Sequence, residues 1–189
     1  MAEAQKTEAI ASFTSRDMRD ALGMFPTGVA VITALTAEGE GLGATVSSFN
    51  SVSLDPPLIL FSLAREAKSI GAWKGAKQFA VSVLGEHQSQ ISTRFARALT
   101  DKWDGVAPVA AKTIKAPLIR DALAWFECEA WAVYDGGDHL IIVGRVVHLE
   151  RIVHSDPRPL VFSGGRYRRL DPGTPIETPY EAAQWLHGW

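Results

Sequence analysis

The chain has 189 residues, of which 47% are hydrophobic, and its formal net charge is −2. This length and apolar content suit one buried core, so a single domain is expected. The near-neutral charge provides no basic field that would attract phosphate backbones or anionic lipid. The composition therefore argues against nucleic-acid and membrane partners and favours a small-molecule function.

Cysteine usage and the N-terminal segment indicate the compartment. Cys128 is the only cysteine, so neither an intramolecular disulfide nor a multi-cysteine metal site can form. Residues 1–14 lack the apolar stretch of a signal peptide, and no later segment approaches the length of a membrane span. We therefore expect a cytoplasmic protein.

A helix and a hairpin are the first elements predicted along the chain. After a loose tail over 1–14, Ser15 can cap a helix whose apolar residues share one face and which stops at Pro26. From Gly28 the pattern changes to alternating strand residues, and the segment 38–43 supplies turn residues. A β-hairpin is therefore expected at this point.

Strand patterns dominate the rest of the chain. Further strands are predicted over 44–53, 58–63, 78–84, 124–134, 140–149, 160–162 and 167–170. Helical spacing is limited to 66–73, 86–97 and a short segment near 181–186 in the Pro-rich extension 171–189. About eight strands with a few short helices lack the βαβ alternation of a doubly wound sheet, so we expect a closed or partly closed antiparallel barrel.

Three closely spaced glycines, Gly39, Gly41 and Gly43, invite comparison with a dinucleotide-binding fingerprint. Their spacing does not match G-x-G-x-x-G, and the residues that follow have a strand pattern where the fingerprint requires a helix. We therefore interpret them as turn glycines. A nicotinamide nucleotide would have to bind without a Rossmann unit.

Two segments carry polar groups that could meet a ligand. The segment 43–53 is rich in Thr, Ser and Asn, so it either faces a polar ligand or is an edge strand with a solvated face. Lys68 and Ser69 stand at the start of the predicted helix, where backbone N–H groups and an ammonium can bind phosphate. A Lys-Ser pair at the start of a helix is more often a solvated cap, so the phosphate site needs support from a partner strand.

Histidine and serine patterns restrict the chemistry further. His139 lies in Gly137-Asp138-His139 at the mouth of an apolar strand, where it either contacts a ligand or makes a structural hydrogen bond. The five histidines lack metal-ligand spacing, so no metal site is expected. No serine lies in a G-x-S-x-G nucleophile elbow.

Several motifs taken together resemble the flavin reductase-like family. They lie at 24–29, at 45–57, at 137–139 and at 144–146, and the resemblance covers residues 15–170. It implies a mainly β fold, an FMN-binding split β-barrel with a few short helices, which is normally a homodimer. The tail 1–14 and the C-terminal extension 171–189 lie outside it.

The resemblance also implies roles for individual residues. Those expected to bind flavin are Thr45, Val46, Ser47, Ser48, Asn50 and Ser51 at the ring edge or ribityl chain, Ser62 and Leu63 along the ring, Lys68 and Ser69 at the phosphate, and Arg94, Phe95 and Ala96 in a helix that closes over the flavin. Those expected to contact the nicotinamide nucleotide are His139 and Tyr167.

The activity implied is hydride transfer from NADH or NADPH to FMN or FAD, with the reduced flavin passed to a flavin-dependent monooxygenase. Such a reaction needs no protein nucleophile, because positioning the two cofactors is the catalytic task. Two alternatives remain: an oxidase resembling pyridoxamine-phosphate oxidases, and a flavin-binding module without turnover. Flavin-dependent consumption of NADH separates the three.

Overall fold

The computed structural model describes residues 12–98, 101–153 and 157–171. Its helices are α1 (Ser15–Leu22), α2 (Ile70–Gly75) and α3 (Ser89–Ala96), with a 3₁₀ turn at Glu86–Gln88. Its strands are β1 (Thr27–Gly28), β2 (Ala30–Leu35), β3 (Gly41–Val46), β4 (Asn50–Leu54), β5 (Pro57–Ala64), β6 (Gln78–Val83), β7 (Pro108–Val109), β8 (Leu118–Ile119), β9 (Ala124–Gly136), β10 (His139–Arg151), β11 (Val161–Ser163) and β12 (Arg166–Arg168). The predicted helix near 181–186 lies outside the described ranges.

A seven-stranded antiparallel sheet forms the body of the fold, in the order β3-β2-β6-β9-β10-β5-β4. The sheet curls until the end of β3 meets β5 near its other edge. Ser48 joins the two, because its Oγ accepts a hydrogen bond from Ser62 N at 2.9 Å and lies 3.3 Å from Ser62 O. The prediction of a mainly β, partly closed barrel with few short helices is confirmed.

The predicted strand over 44–53 is in fact two strands. β3 pairs with β2 up to Val46, whereas β4 pairs with β5 from Asn50 onwards. The intervening segment 47–49 belongs to neither register, since the chain crosses there from one edge of the sheet to the other. This crossing places an unpaired stretch of backbone beside the gap in the barrel.

The helices differ from the predictions at their ends. Thr14, and not Ser15, caps α1, because the Thr14 Oγ1 accepts from Asp17 N while the Asp17 carboxylate accepts from Thr14 N. The helix expected over 66–73 begins only at Ile70, and the one expected over 86–97 divides into the 3₁₀ turn and α3. None of the described helices has the length and apolar character needed to cross a membrane.

Two buried aromatic clusters position the elements around the barrel gap. Inside the barrel, Phe61 packs edge-on against Phe79 with ring centroids 5.1 Å apart. Outside it, Phe95 of α3 is fully buried against β3 and packs edge-on against Trp103 at 5.0 Å. The second cluster holds α3 beside the end of β3.

Only one of the three glycines interpreted as turn residues fits that description. Gly39 lies in the β2–β3 turn with a φ of +87°, a conformation that glycine adopts at little cost. Gly41 and Gly43 lie within β3. A Cβ at Gly43 would come within 2.3 Å of the Phe95 ring, so this glycine lets α3 approach the strand.

Candidate functional site

A cavity of about 520 Å³ opens at the gap in the barrel. Its walls come from the end of β3, the end of β5 and the β9–β10 hairpin. The residues that line it are Thr45, Val46, Ser47, Ser48, Ser62, Leu63, Ala64, Gly136, His139 and Ile141. The structure thus brings His139 to the same cavity as six of the residues predicted to bind flavin.

A second cavity, of about 580 Å³, adjoins the first and shares Thr45, Leu63 and Ala64 with it. It is bounded by β3, by the residues before α2 and by the end of α3. The predicted site residues in its lining are Thr45, Leu63, Lys68, Ser69, Phe95 and Ala96. The two cavities form one cleft. The segment 45–48 lies between the end of the cleft at His139 and the end at Lys68.

Two hydroxyl groups of the segment 45–48, those of Thr45 and Ser48, are already engaged within the protein. Thr45 Oγ1 donates to Ser92 O on α3 at 2.7 Å, and Ser48 Oγ bridges to Ser62 on β5. The backbone N–H groups of 47–49 fall outside the strand registers. The segment therefore offers a ligand its main-chain donors, while the Thr45 and Ser48 side chains hold the walls of the cleft together.

His139 is oriented by its neighbour in the hairpin. Its Nδ1 lies 2.7 Å from Asp138 Oδ1, and the imidazole remains partly exposed. The hydrogen bond from His139 lowers the pKa of the Asp138 carboxyl below its usual value. With Nδ1 held by a carboxylate, Nε2 is left available to a ligand.

Arg65, a residue that the sequence analysis missed, clamps the hairpin that carries His139. Its Nε donates to Gly137 O at 2.6 Å, and its Nη2 contacts the Asp135 carboxylate at 2.6 Å. The N–H of Gly137 and the Arg65 guanidinium both lower the pKa of Asp135. Because Arg65 directly follows β5, the strand that pairs with β10 and places Ala64 opposite His139 in the register, it fixes the hairpin on its neighbouring strand.

Arg94 and Tyr167 lie on the outer side of α3. The Arg94 Nε donates to Lys102 O at 2.8 Å, and the Tyr167 hydroxyl lies 2.8 Å from Ser92 Oγ. Both line a separate cavity of about 520 Å³, and Tyr167 also lines a small apolar one of about 180 Å³ that reaches Thr45. Tyr167 and His139 thus lie on different sides of the β3 segment.

Asn50 and Ser51 lie on the exposed edge strand β4, outside the linings of both cavities of the cleft. Asn50 Oδ1 accepts a hydrogen bond from Ser51 N at 2.9 Å.

Lys102 is a residue of the cleft that the sequence does not indicate, and its ammonium lies between β3 and α3 in the second cavity. It stands in a loop where no periodic pattern draws attention to it.

The Cys128 thiol and possible metal-binding clusters were the remaining candidates for reactive chemistry. Burial, with a smaller effect of the Glu127 charge, raises the pKa of the Cys128 thiol to about 12, so the thiolate that nucleophilic attack needs is scarce. Within the described ranges, no three His, Cys, Asp or Glu side chains are grouped so that they could hold a metal ion.

Comparison with known proteins agrees with this architecture. The family described as "Flavin reductase like domain" matches residues 22–171. FMN reductase (NADH) SmoA of Agrobacterium fabrum is 46% identical over 160 residues, which cover 82% of this chain and 86% of SmoA. The reductase subunit HsaB of a flavin-dependent monooxygenase of Rhodococcus jostii is 34% identical, with coverage of 87% and 83%.

A solved structure is similar over most of the barrel. The NADH:FAD oxidoreductase SgcE6 of Streptomyces globisporus, in complex with NAD and FAD fragments, has a TM-score of 0.77 and 39% identity over 84% of this chain and 94% of SgcE6. The chain spans only 44%, 58% and 42% of three other relatives. With the family matched across most of its length, this chain belongs to the flavin reductase-like family.

Proposed function

We propose that the protein is an NAD(P)H-dependent flavin reductase, which transfers a hydride from NADH or NADPH to FMN or FAD. The observation that carries this proposal is the single cleft in which His139 faces the segment 45–48. SmoA is named as an NADH-dependent FMN reductase and SgcE6 as an NADH:FAD oxidoreductase. Both flavins are therefore candidates for this chain.

The chemistry of the cleft suits a flavin. Leu63 and Ile141 supply apolar surface for a flat ring, and the N–H groups of 47–49 can pair with polar atoms at a ring edge. Lys68 is exposed at the far end of the cleft, where an ammonium can meet a phosphate. A bound flavin would supply the hydride acceptor and the nicotinamide would supply the hydride.

The chain's own residues would bind the flavin and the nicotinamide nucleotide and orient them for the reaction. Backbone N–H groups of 47–49 would stabilise negative charge on the reduced ring, as preorganised dipoles do at an oxyanion. Ser48 keeps the β3 and β5 walls at a fixed separation, and Arg65 holds the His139 hairpin. His139 would contact the nicotinamide nucleotide, so that both reactants lie in one constrained arrangement.

We further propose a partner, an oligomeric state and a cellular location for this activity. HsaB is named as the reductase subunit of a flavin-dependent monooxygenase, which supports a monooxygenase as recipient of the reduced flavin. A homodimer is proposed because the family normally forms one, with residues 15–170 as the flavin reductase-like domain. The buried, reduced thiol of Cys128 suits a cytoplasmic location.

The direct test is oxidation of NADH or NADPH by the purified protein with added flavin. We expect absorbance at the nicotinamide band to fall only when FMN or FAD is present, because flavin accepts the hydride. Turnover of an amine substrate with oxygen, without NADH consumption, would favour the pyridoxamine-phosphate oxidase-like alternative. Tight flavin binding with neither reaction would leave a binding module.

A substitution at His139 tests the nucleotide end of the cleft. We expect His139→Ala to raise the apparent KM for NADH about tenfold, with flavin affinity and melting temperature nearly unchanged, because the lost contact exists only in the nucleotide complex. His148→Ala is a matched control, since His148 is on the same strand and bonds to a carboxylate, that of Glu150. An unchanged KM together with a lowered melting temperature would make His139 a structural residue.

A further inference from the structure

Lys102 is a cation held between two walls of the cleft, and the part of the chain that the structure describes gives it no partner of opposite charge. Its Nζ donates to Gly43 O on β3 at 2.9 Å and to Phe95 O on α3 at 2.8 Å. Both acceptors are neutral carbonyls, and the ammonium carries a third N–H. These two bonds fix the position of the charge, but they do not neutralise it.

Two carboxylates line the same cavity, those of Glu40 and Asp101, and neither forms an ion pair with Lys102 among the described residues. Asp101 Oδ1 accepts from the N–H groups of Trp103 and Asp104, so it serves the loop's own backbone. Within the described residues, no ion pair joins Lys102 to a carboxylate, and burial alone lowers the pKa of its ammonium. A partly desolvated cation gains from an anion brought beside it.

Lys102 lines the same cavity as Lys68 and Ser69, the residues proposed to meet the flavin phosphate. Lys68 is exposed on a flexible side chain, whereas Lys102 is partly buried and doubly anchored. A charge that is already fixed loses less conformational freedom when it binds a ligand. Of these two lysines, the one whose ammonium is anchored by the protein is therefore the one that the sequence does not indicate.

We propose that Lys102 Nζ is a second phosphate-binding group of the cleft, and that with Lys68 it makes the protein select FMN and FAD over riboflavin. This proposal rests on the flavin reductase function proposed above. Because the same ammonium bonds to Gly43 and Phe95, the phosphate contact would also be supported by both walls of the cleft. Arg94, through its bond to Lys102 O, acts as a positioning residue for this group.

The test compares two uncharged variants. Lys102→Met keeps the unbranched side chain as far as Cε, and Lys102→Gln keeps two N–H donors while removing the charge. In fluorescence titrations we expect both to bind FMN about tenfold or more weakly than the wild type, and riboflavin within about twofold. Lys68→Ala should give the same pattern, and Lys115→Met, which removes a charge outside this cleft, should change neither affinity.

Thermal shift with inorganic pyrophosphate gives a readout that needs no flavin. We expect pyrophosphate to raise the melting temperature of the wild type and to lose that effect in Lys102→Gln. Equal weakening of FMN and riboflavin would overturn the proposal and leave Lys102 as a tie between β3 and α3. Unchanged FMN affinity in Lys102→Gln would overturn it as well, whereas a wild type that binds no flavin would instead overturn the proposed function.

Discussion

Replacement of Glu127 by Ala is expected to destabilise the fold by on the order of 3 kcal/mol, since four hydrogen bonds to a buried carboxylate are lost and the buried N–H of Ile114 loses its acceptor. The Glu127 side chain is 1% exposed. Its carboxylate accepts bonds from Lys112 N at 2.8 Å, from both Thr113 N and Thr113 Oγ1 at 2.6 Å, and from Ile114 N at 3.3 Å. Urea unfolding of the variant measures the loss.

Glu129→Ala is the matched control for this variant. Glu129 lies two residues along the same strand, but its side chain is 47% exposed and its main contact is an ion pair with Arg145. Exposed ion pairs contribute up to about 1 kcal/mol, so the control should change stability little. Similar losses in the two variants would show that the carboxylate does not organise the 112–114 loop.

The same carboxylate gives the stability a defined dependence on pH. Burial raises the pKa of Glu127, but hydrogen bonds from Thr113 and Lys112 outweigh that effect, so the folded-state pKa lies below the ordinary value of 4.5. A depressed pKa contributes stability above the unfolded value and loses it as pH falls through the folded value. The advantage of the wild type over Glu127→Gln should therefore shrink below pH 4.5.

The local sequence pattern predicted most of the helices and strands, but it did not predict which strands pair with one another in the sheet. The polar segment 44–53 has continuous strand character, and only tertiary pairing shows that β3 and β4 lie at opposite edges of the sheet. β7 and β8 are two residues each, too short for any periodicity to be visible. The cap of α1 shifted by one residue because Thr14 and Asp17 form a capping box that Ser15 cannot.

Site residues that belong to a recognisable motif could be predicted from the sequence. Site residues whose role depends only on their position in the fold could not. His139 and Lys68 stand in motifs, and the structure brings both to the cleft. Arg65 and Lys102 act largely through main-chain carbonyls, which any lysine or arginine in a loop could reach, so no pattern marks them. For Thr45 the residue type suggested a ligand contact, yet its hydroxyl bonds to α3.

Gly43→Ala is expected to weaken both the fold and flavin binding. The added Cβ would lie 2.3 Å from Phe95 Cδ1, and that ring is fully buried. Trp103 packs against the ring, so β3 and α3 must separate, at a cost of about 1–3 kcal/mol for overpacking. Because Thr45 and Ala96 lie on these two walls, FMN affinity should fall together with the melting temperature.

Gly28→Ala is the control for this prediction, because a Cβ at Gly28 meets nothing within 4 Å. A second change tests the cause: Phe95→Leu removes part of the ring and makes room for the new methyl group. Phe95→Leu alone should cost about 1 kcal/mol, and the double variant should be more stable than the sum of the two losses predicts. Strict additivity would mean that the clash between Gly43 and Phe95 is not what keeps position 43 a glycine.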